Sequence, residues 1–194
     1  MFTLGRRQQW VLVAVLALLM AVTRSHHFAT LKVLPDASWA VFFLAGFLVT
    51  RWGALLVLLA VAGLADAVAI GLGGVSDFCL SFAYPFLIPA YTALWLGGRW
   101  LGKVALPDGR LLPRIGLAIF ASAFACELIA SGSFHFLSGV IAEPTLDGFG
   151  TALWRYFPRS LANFVLYLAF AAPLVVWFAW AQSARARRAD TQPL

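Results

Sequence analysis

Few side chains in this sequence can do chemistry, and they lie in or beside long apolar runs. Cys79 opens one such run, next to the polar pair Ser76-Asp77. A thiol at a helix N-terminus is acidified by the helix dipole, and a thiolate is a soft ligand suited to transition metals. Cys126 sits in mid-run and reads as a buried small hydrophobe, although an oxidising compartment would allow a disulfide between the two cysteines. Asp66 and Glu127 are carboxylates inside apolar runs. Such a group costs roughly 2.5–3.5 kcal/mol on insertion scales and usually faces a cavity or a partner. The two therefore point to a solvent-reachable pocket or, alternatively, to an ion pair with Arg155 or Arg159 that ties helices together. The histidines read as interfacial: His26-His27 are adjacent and cannot bracket a haem from facing helices, and His135 falls in a later loop. No zinc pattern such as H-E-x-x-H or C-x-x-C is present, and no G-x-x-x-x-G-K, so the chain does not itself hydrolyse ATP.

The elements that must position these groups follow from composition. The chain has 194 residues, 62% apolar and 11% charged. An average soluble domain carries about 25% charge, so this chain cannot solvate a globular surface. A soluble enzyme, a disordered chain and a nucleic-acid module are excluded, despite a net charge of +6. The expected fold class is an all-α integral membrane protein: one transmembrane domain, 1–194, of six helices at about 8–22, 37–50, 52–72, 78–96, 112–131 and 157–181. The second run is short for a hydrocarbon core of about 30 Å, and is expected to be tilted, half-buried or extended backwards through Leu31–Leu34. The first run has the n- and h-regions of a signal peptide in Arg6-Arg7 and Trp10 to Ala21, but no A-x-A follows it, so it reads as a retained span.

Six spans put both termini on one side. Ten basic residues fall on that side, from Arg6, Arg7 and Arg51 through Arg99, Lys103, Arg110 and Arg114 to Arg185, Arg187 and Arg188. Arg24, Lys32, Arg155 and Arg159 fall on the other. The excess makes both termini cytoplasmic and the protein a multi-pass inner-membrane (plasma-membrane) protein. Asp66, Glu127, Cys79 and Tyr84 then lie in the outer half of the bundle, with Arg155 and Arg159 at the outer start of helix six. Pro85 and Pro89 are expected to kink helix four and make Phe78 to Pro85 a pocket wall. Ala17-x-x-x-Ala21 on helix one is a small-x-x-x-small face suited to close approach of another helix. Seven tryptophans near span ends form an aromatic belt.

Together these features resemble the substrate-binding S-components of energy-coupling-factor transporters, and more closely the BtuM-type cobalamin S-components. The resemblance covers the whole chain. Its sharpest part is Asp77-Phe78-Cys79-Leu80-Ser81-Phe82-Ala83-Tyr84-Pro85, whose cysteine matches the family's cobalt-ligating position, with Asp66 and Tyr84 flanking the same site. It implies a vitamin bound on the extracytoplasmic side, a membrane coupling subunit docking on Ala17 and Ala21, two ATPases, and toppling in the bilayer to release the vitamin. Some members of the family are encoded without a dedicated coupling module. In this reading the protein has no intrinsic cofactor, and cobalamin or a related corrinoid is its substrate. A large amphipathic ligand needs apolar walls and a few polar groups. Phe28, Phe78, Phe82, Phe134 and Phe136 are the candidate walls. Asp66, Asp77, Tyr84 and His27 are candidates to meet the amide side chains of the corrin. Cys79 is the candidate axial ligand of cobalt, and through it the candidate catalytic group for removal of the upper axial cyanide.

Two other functions fit the same residues. One is an S-component for thiamine or riboflavin, in which ring stacking carries affinity and Cys79 is incidental. The other is a small membrane redox or quinone-interacting enzyme using Cys79 and His27. The lack of a paired-cysteine or paired-histidine site counts against it.

Overall fold

Apolar runs fold as helices here because a backbone out of contact with water must pair its own N–H and C=O groups. The computed structural model describes residues 4–24, 35–73, 81–103 and 111–190, and every regular element among them is helical. They are α1 (Arg6–Arg24), α2 (Ser38–Leu48), α3 (Gly53–Gly73), α4 (Leu87–Lys103), α5 (Leu111–Leu137) and α6 (Leu146–Asp190), with a 3-10 turn at Tyr84–Phe86. Four helical stretches are long and apolar enough to cross a membrane: Arg6–Arg24, Gly53–Gly71, Leu111–Leu137 and Leu146–Trp177. Their outer faces carry exposed Val11, Leu18, Leu56, Leu64, Phe120, Leu174 and Trp177, as a lipid solvent demands.

The two short helices are inside. α2 has 11 residues and buries Ala40, Val41, Phe42, Phe43, Ala45 and Gly46. A helix apolar all round belongs in a core, and α2 is the centre of this one. It is not extended backwards, since 35–37 are non-helical and 31–34 lie outside the described residues. Asp36 Oδ1 accepts the Ser38 N–H at 3.0 Å where the helix opens, and extended Val49 closes it.

α4 packs between α2 and α5 at backbone distance, and glycine makes this possible. A Cβ on Gly46 would overlap the Trp95 carbonyl, and one on Gly98 the Phe43 carbonyl. A Cβ on Gly102 would reach 2.7 Å from the Phe47 oxygen, and one on Gly97 would meet Ser122. Small residues at helix crossings exchange side-chain volume for dispersion contacts and close backbone approach. The sequence reading treats Gly97-Gly98 as the end of the fourth run. Instead α4 continues to Lys103, and both glycines are packing surfaces, Gly97 against α5 and Gly98 against α2. Phe42 stacks on Tyr91 at 4.5 Å, and Phe43 meets Phe164 of α6 edge-on at 5.3 Å.

Further boundaries differ from the expected ones. The fourth helix begins at Leu87, not near 78. Pro85 falls in the 3-10 turn and Pro89 in the first turn of α4. At a helix start the missing N–H removes no helical hydrogen bond, so the expected proline kink does not arise; the two residues define the helix's entry. α5 runs on to Leu137, which places Phe134, His135 and Phe136 on a helix and not in a loop. α6 begins at Leu146, so Arg155 and Arg159 lie well inside it.

Candidate ligand site

At one end of the bundle α1 finishes and α2 and α4 begin, and the polar side chains meet there. Arg24 is the last residue of α1. Its Nε donates to Asp66 Oδ1 at 2.6 Å and its Nη2 to Asp66 Oδ2 at 2.7 Å. This planar two-bond fork is the strongest guanidinium–carboxylate geometry. Nη1 points the other way, donating to the Tyr91 hydroxyl at 2.6 Å and to Ser38 Oγ at 3.0 Å. Ser38 passes its own hydroxyl proton toward Asp36 Oδ1 at 2.7 Å, and Asp36 Oδ2 lies 3.9 Å from the guanidinium. Tyr84 donates to Asp66 Oδ2 at 2.9 Å. Tyr167 of α6 donates to the Pro35 carbonyl at 2.6 Å, which holds the entry to α2.

Four helices and the 3-10 turn thus converge on one cation and two carboxylates, and α6 braces the segment that carries Asp36. Burial makes the charges expensive, and the hydrogen bonds offset that cost: the side chains of Arg24 and Asp66 are only 11% and 21% exposed. The Arg24 guanidinium also lies 5.5 Å from the Tyr91 ring centre, and Phe42 stacks on that ring. The rigid part of the site is therefore Arg24–Asp66–Tyr91. Tyr84, half-buried in the turn before α4, is its margin. A carboxylate and a phenol on such a margin offer both an acceptor and a donor to an amide-bearing ligand.

The structure brings Asp66 and Tyr84 together from 18 residues apart. Phe82, two residues earlier, is 80% exposed. His27, Phe28, Asp77, Phe78 and Cys79 lie outside the described residues. The suggested pairing of Asp66 or Glu127 with Arg155 or Arg159 is corrected. Asp66 pairs with Arg24, and Glu127 is buried on α5 with its Oε1 accepting from Ser131 Oγ at 2.5 Å. Arg155 and Arg159 are exposed, with the Arg155 guanidinium 5.8 Å from the Tyr156 ring. Cys126 is free and fully buried, so it forms no disulfide. Ala17 and Ala21 are half-buried, with Ala17 packed on the core. The exposed stripe of α1 is Val11, Ala14, Val15, Leu18 and Val22.

Arg24, Asp36, Ser38 and Tyr91 are members of the site that sequence reasoning missed. In the sequence Arg24 reads only as a topology signal, yet it is a cation at the end of one apolar run facing an anion, Asp36, at the start of the next. That spacing was the available signal. No protein-family model matches the chain, and no curated protein matches it.

Proposed function

We propose that the protein is a membrane vitamin-uptake protein that binds cobalamin on the extracytoplasmic side and carries it inward. In this reading it has six spans and both termini in the cytoplasm of the inner membrane, like the S-components it resembles. The observation that carries the reading is the 2.9 Å hydrogen bond between Tyr84 and Asp66. The resemblance names these two residues as flanking the corrinoid site. Cys79 is five residues from Tyr84, so the chain cannot take it more than about 18 Å away.

The roles divide as follows. Asp66, gripped in the Arg24 fork, accepts hydrogen bonds from corrin amides, and Tyr84 positions Asp66 and bounds the site. Asp77 and His27 add polar contacts, and Phe28, Phe78 and Phe82 cover the apolar parts of the ring. The Cys79 thiolate enters the lower axial position of the substrate's cobalt in place of the nucleotide base. Strong sulfur donation weakens the bond on the opposite face. With cyanocobalamin, the cyanide leaves with its electron pair and takes a proton from water, while cobalt stays in the +3 state. This ligand exchange is an accessory activity of a transporter. A coupling subunit with its ATPases supplies energy where the cell provides one.

Uptake of radiolabelled cobalamin tests the function directly. Cells lacking their own inner-membrane cobalamin importer should accumulate the label when they express this chain, and lose it with Asp66→Ala. Accumulation no greater than that of empty cells, with the protein present in the membrane, rejects the reading.

A further inference from the structure

Donors and acceptors around Arg24 are unequally used. Almost every donor is spent. Four of the five guanidinium N–H groups go to Asp66, Tyr91 and Ser38. The Tyr84 hydroxyl donates to Asp66, and the Ser38 hydroxyl to Asp36. One acceptor is left over. Asp36 Oδ1 takes both the N–H and the hydroxyl of Ser38, at 3.0 and 2.7 Å. Asp36 Oδ2 lies 3.9 Å from Arg24 Nη1, beyond hydrogen-bond distance, and among the described residues no donor bonds it. The Asp36 side chain is 38% exposed, so this oxygen belongs to the rim of the site.

Two carboxylates thus share one guanidinium, and its fork is committed to Asp66. The start of α2, whose unpaired N–H groups would otherwise attract an anion, is already served by Asp36 Oδ1. The bond from Tyr167 to the Pro35 carbonyl holds the same segment from the α6 side. An incoming group therefore meets an open carboxylate oxygen and hardly a free donor. A carboxamide NH2 satisfies that oxygen. A ligand carboxylate finds like charge and nothing to bond, and like charges brought together at a partly buried site are poorly screened.

We propose that Asp36 is a specificity-determining residue: its Oδ2 accepts a hydrogen bond from a primary carboxamide on the rim of the ligand, and it bars the same ligand with that amide hydrolysed to the acid. The proposal rests on the cobalamin reading. A corrin carries carboxamides around its rim, so one ligand can meet Asp66 and Asp36 together. Exchanging one amide for the acid removes the N–H donors and adds a negative charge at nearly constant size. A site that accepts from a ligand N–H rejects the analogue lacking it, because its own polar group is left unpaired.

The test is isothermal titration of the full chain in detergent, at neutral pH, with cyanocobalamin and with its b-, d- and e-monocarboxylic acids, the products of partial amide hydrolysis. At least one acid should bind the wild type about ten-fold more weakly than cyanocobalamin, or worse. Asp36→Asn keeps an oxygen for Ser38 and presents an NH2 in place of Oδ2, so it should return that acid to near the affinity of cyanocobalamin. Glu143→Gln, which removes an exposed acid from the α5–α6 connection, should leave the wild-type ratio unchanged. The melting temperature of each variant shows that it is folded, and the wild-type ratio needs no variant. Three acids that bind the wild type as tightly as cyanocobalamin overturn the proposal and leave the uptake reading standing. A ratio that persists in folded Asp36→Asn overturns it too, as does equal relief by Glu143→Gln, which would mean bulk charge alone. Cyanocobalamin that does not bind the wild type rejects the uptake reading, and this inference with it.

Discussion

The Arg24 guanidinium grips both oxygens of Asp66, at 2.6 and 2.7 Å, and so ties the end of α1 to the interior of α3. Breaking a buried pair on one side strands the other charge, at a cost of about 3–5 kcal/mol when burial is complete. Asp66 is 21% exposed, so the lower end applies. Arg24→Leu should therefore lower the melting temperature in detergent sharply, and Asp66→Leu less so. The double variant should recover part of the loss, because it leaves no unpaired charge. Strictly additive losses would mean that the two residues are not energetically coupled.

The contact between α2 and α4 has no room for a methyl group. Gly98→Ala should displace the Phe43 carbonyl and reduce the yield of monodisperse protein, and Gly46→Ala should do the same at Trp95. Gly116→Ala, where a Cβ meets nothing within 4 Å, should be neutral or slightly stabilising. Size-exclusion profiles of the three variants check this. Equal behaviour would show that the helices can separate without loss.

The proposed orientation makes an accessibility prediction. A membrane-impermeant maleimide should label Cys79 from the extracytoplasmic side of oriented vesicles. Cys126, fully buried, should stay unlabelled until the protein is denatured. Labelling of Cys79 only from the cytoplasmic side would invert the topology.

The proposed docking of a coupling subunit on α1 can be tested separately from ligand binding. Replacing Ala17 and Ala21 with leucine should impair transport while binding persists. Ala17 also packs on the core, so the melting temperature of that variant has to be followed alongside. Parallel loss of binding and stability would assign the face to internal packing.

How far the sequence was legible depended on what each residue's neighbours are. The apolar runs became helices because local hydrophobicity decides that question in lipid. Helix ends were misplaced where another signal competed. Phe78 to Ser81 reads as the start of the fourth run, but helix α4 starts only at Leu87, after Pro85. α5 and α6 extend past their apolar stretches, as helices can once they leave the bilayer. Asp66 stood out because a lone carboxylate in an apolar run needs an explanation. Its partner did not, because Arg24 is 42 residues away and looked like a topology signal. Gly98 was invisible for the same reason: only the fold shows that the Phe43 carbonyl occupies the place of its side chain.

The central claim is that this bundle binds cobalamin through Cys79. The absorption spectrum of the purified protein after incubation with cyanocobalamin tests it most directly. Wild type should come off a desalting column coloured, with the bands of a base-off, thiolate-ligated corrinoid and with cyanide released. Cys79→Ala should lose that spectral change and keep some affinity, and Cys126→Ala should keep both. A wild-type protein that elutes colourless, or one whose bound spectrum is that of free cyanocobalamin and unchanged in Cys79→Ala, would contradict the account.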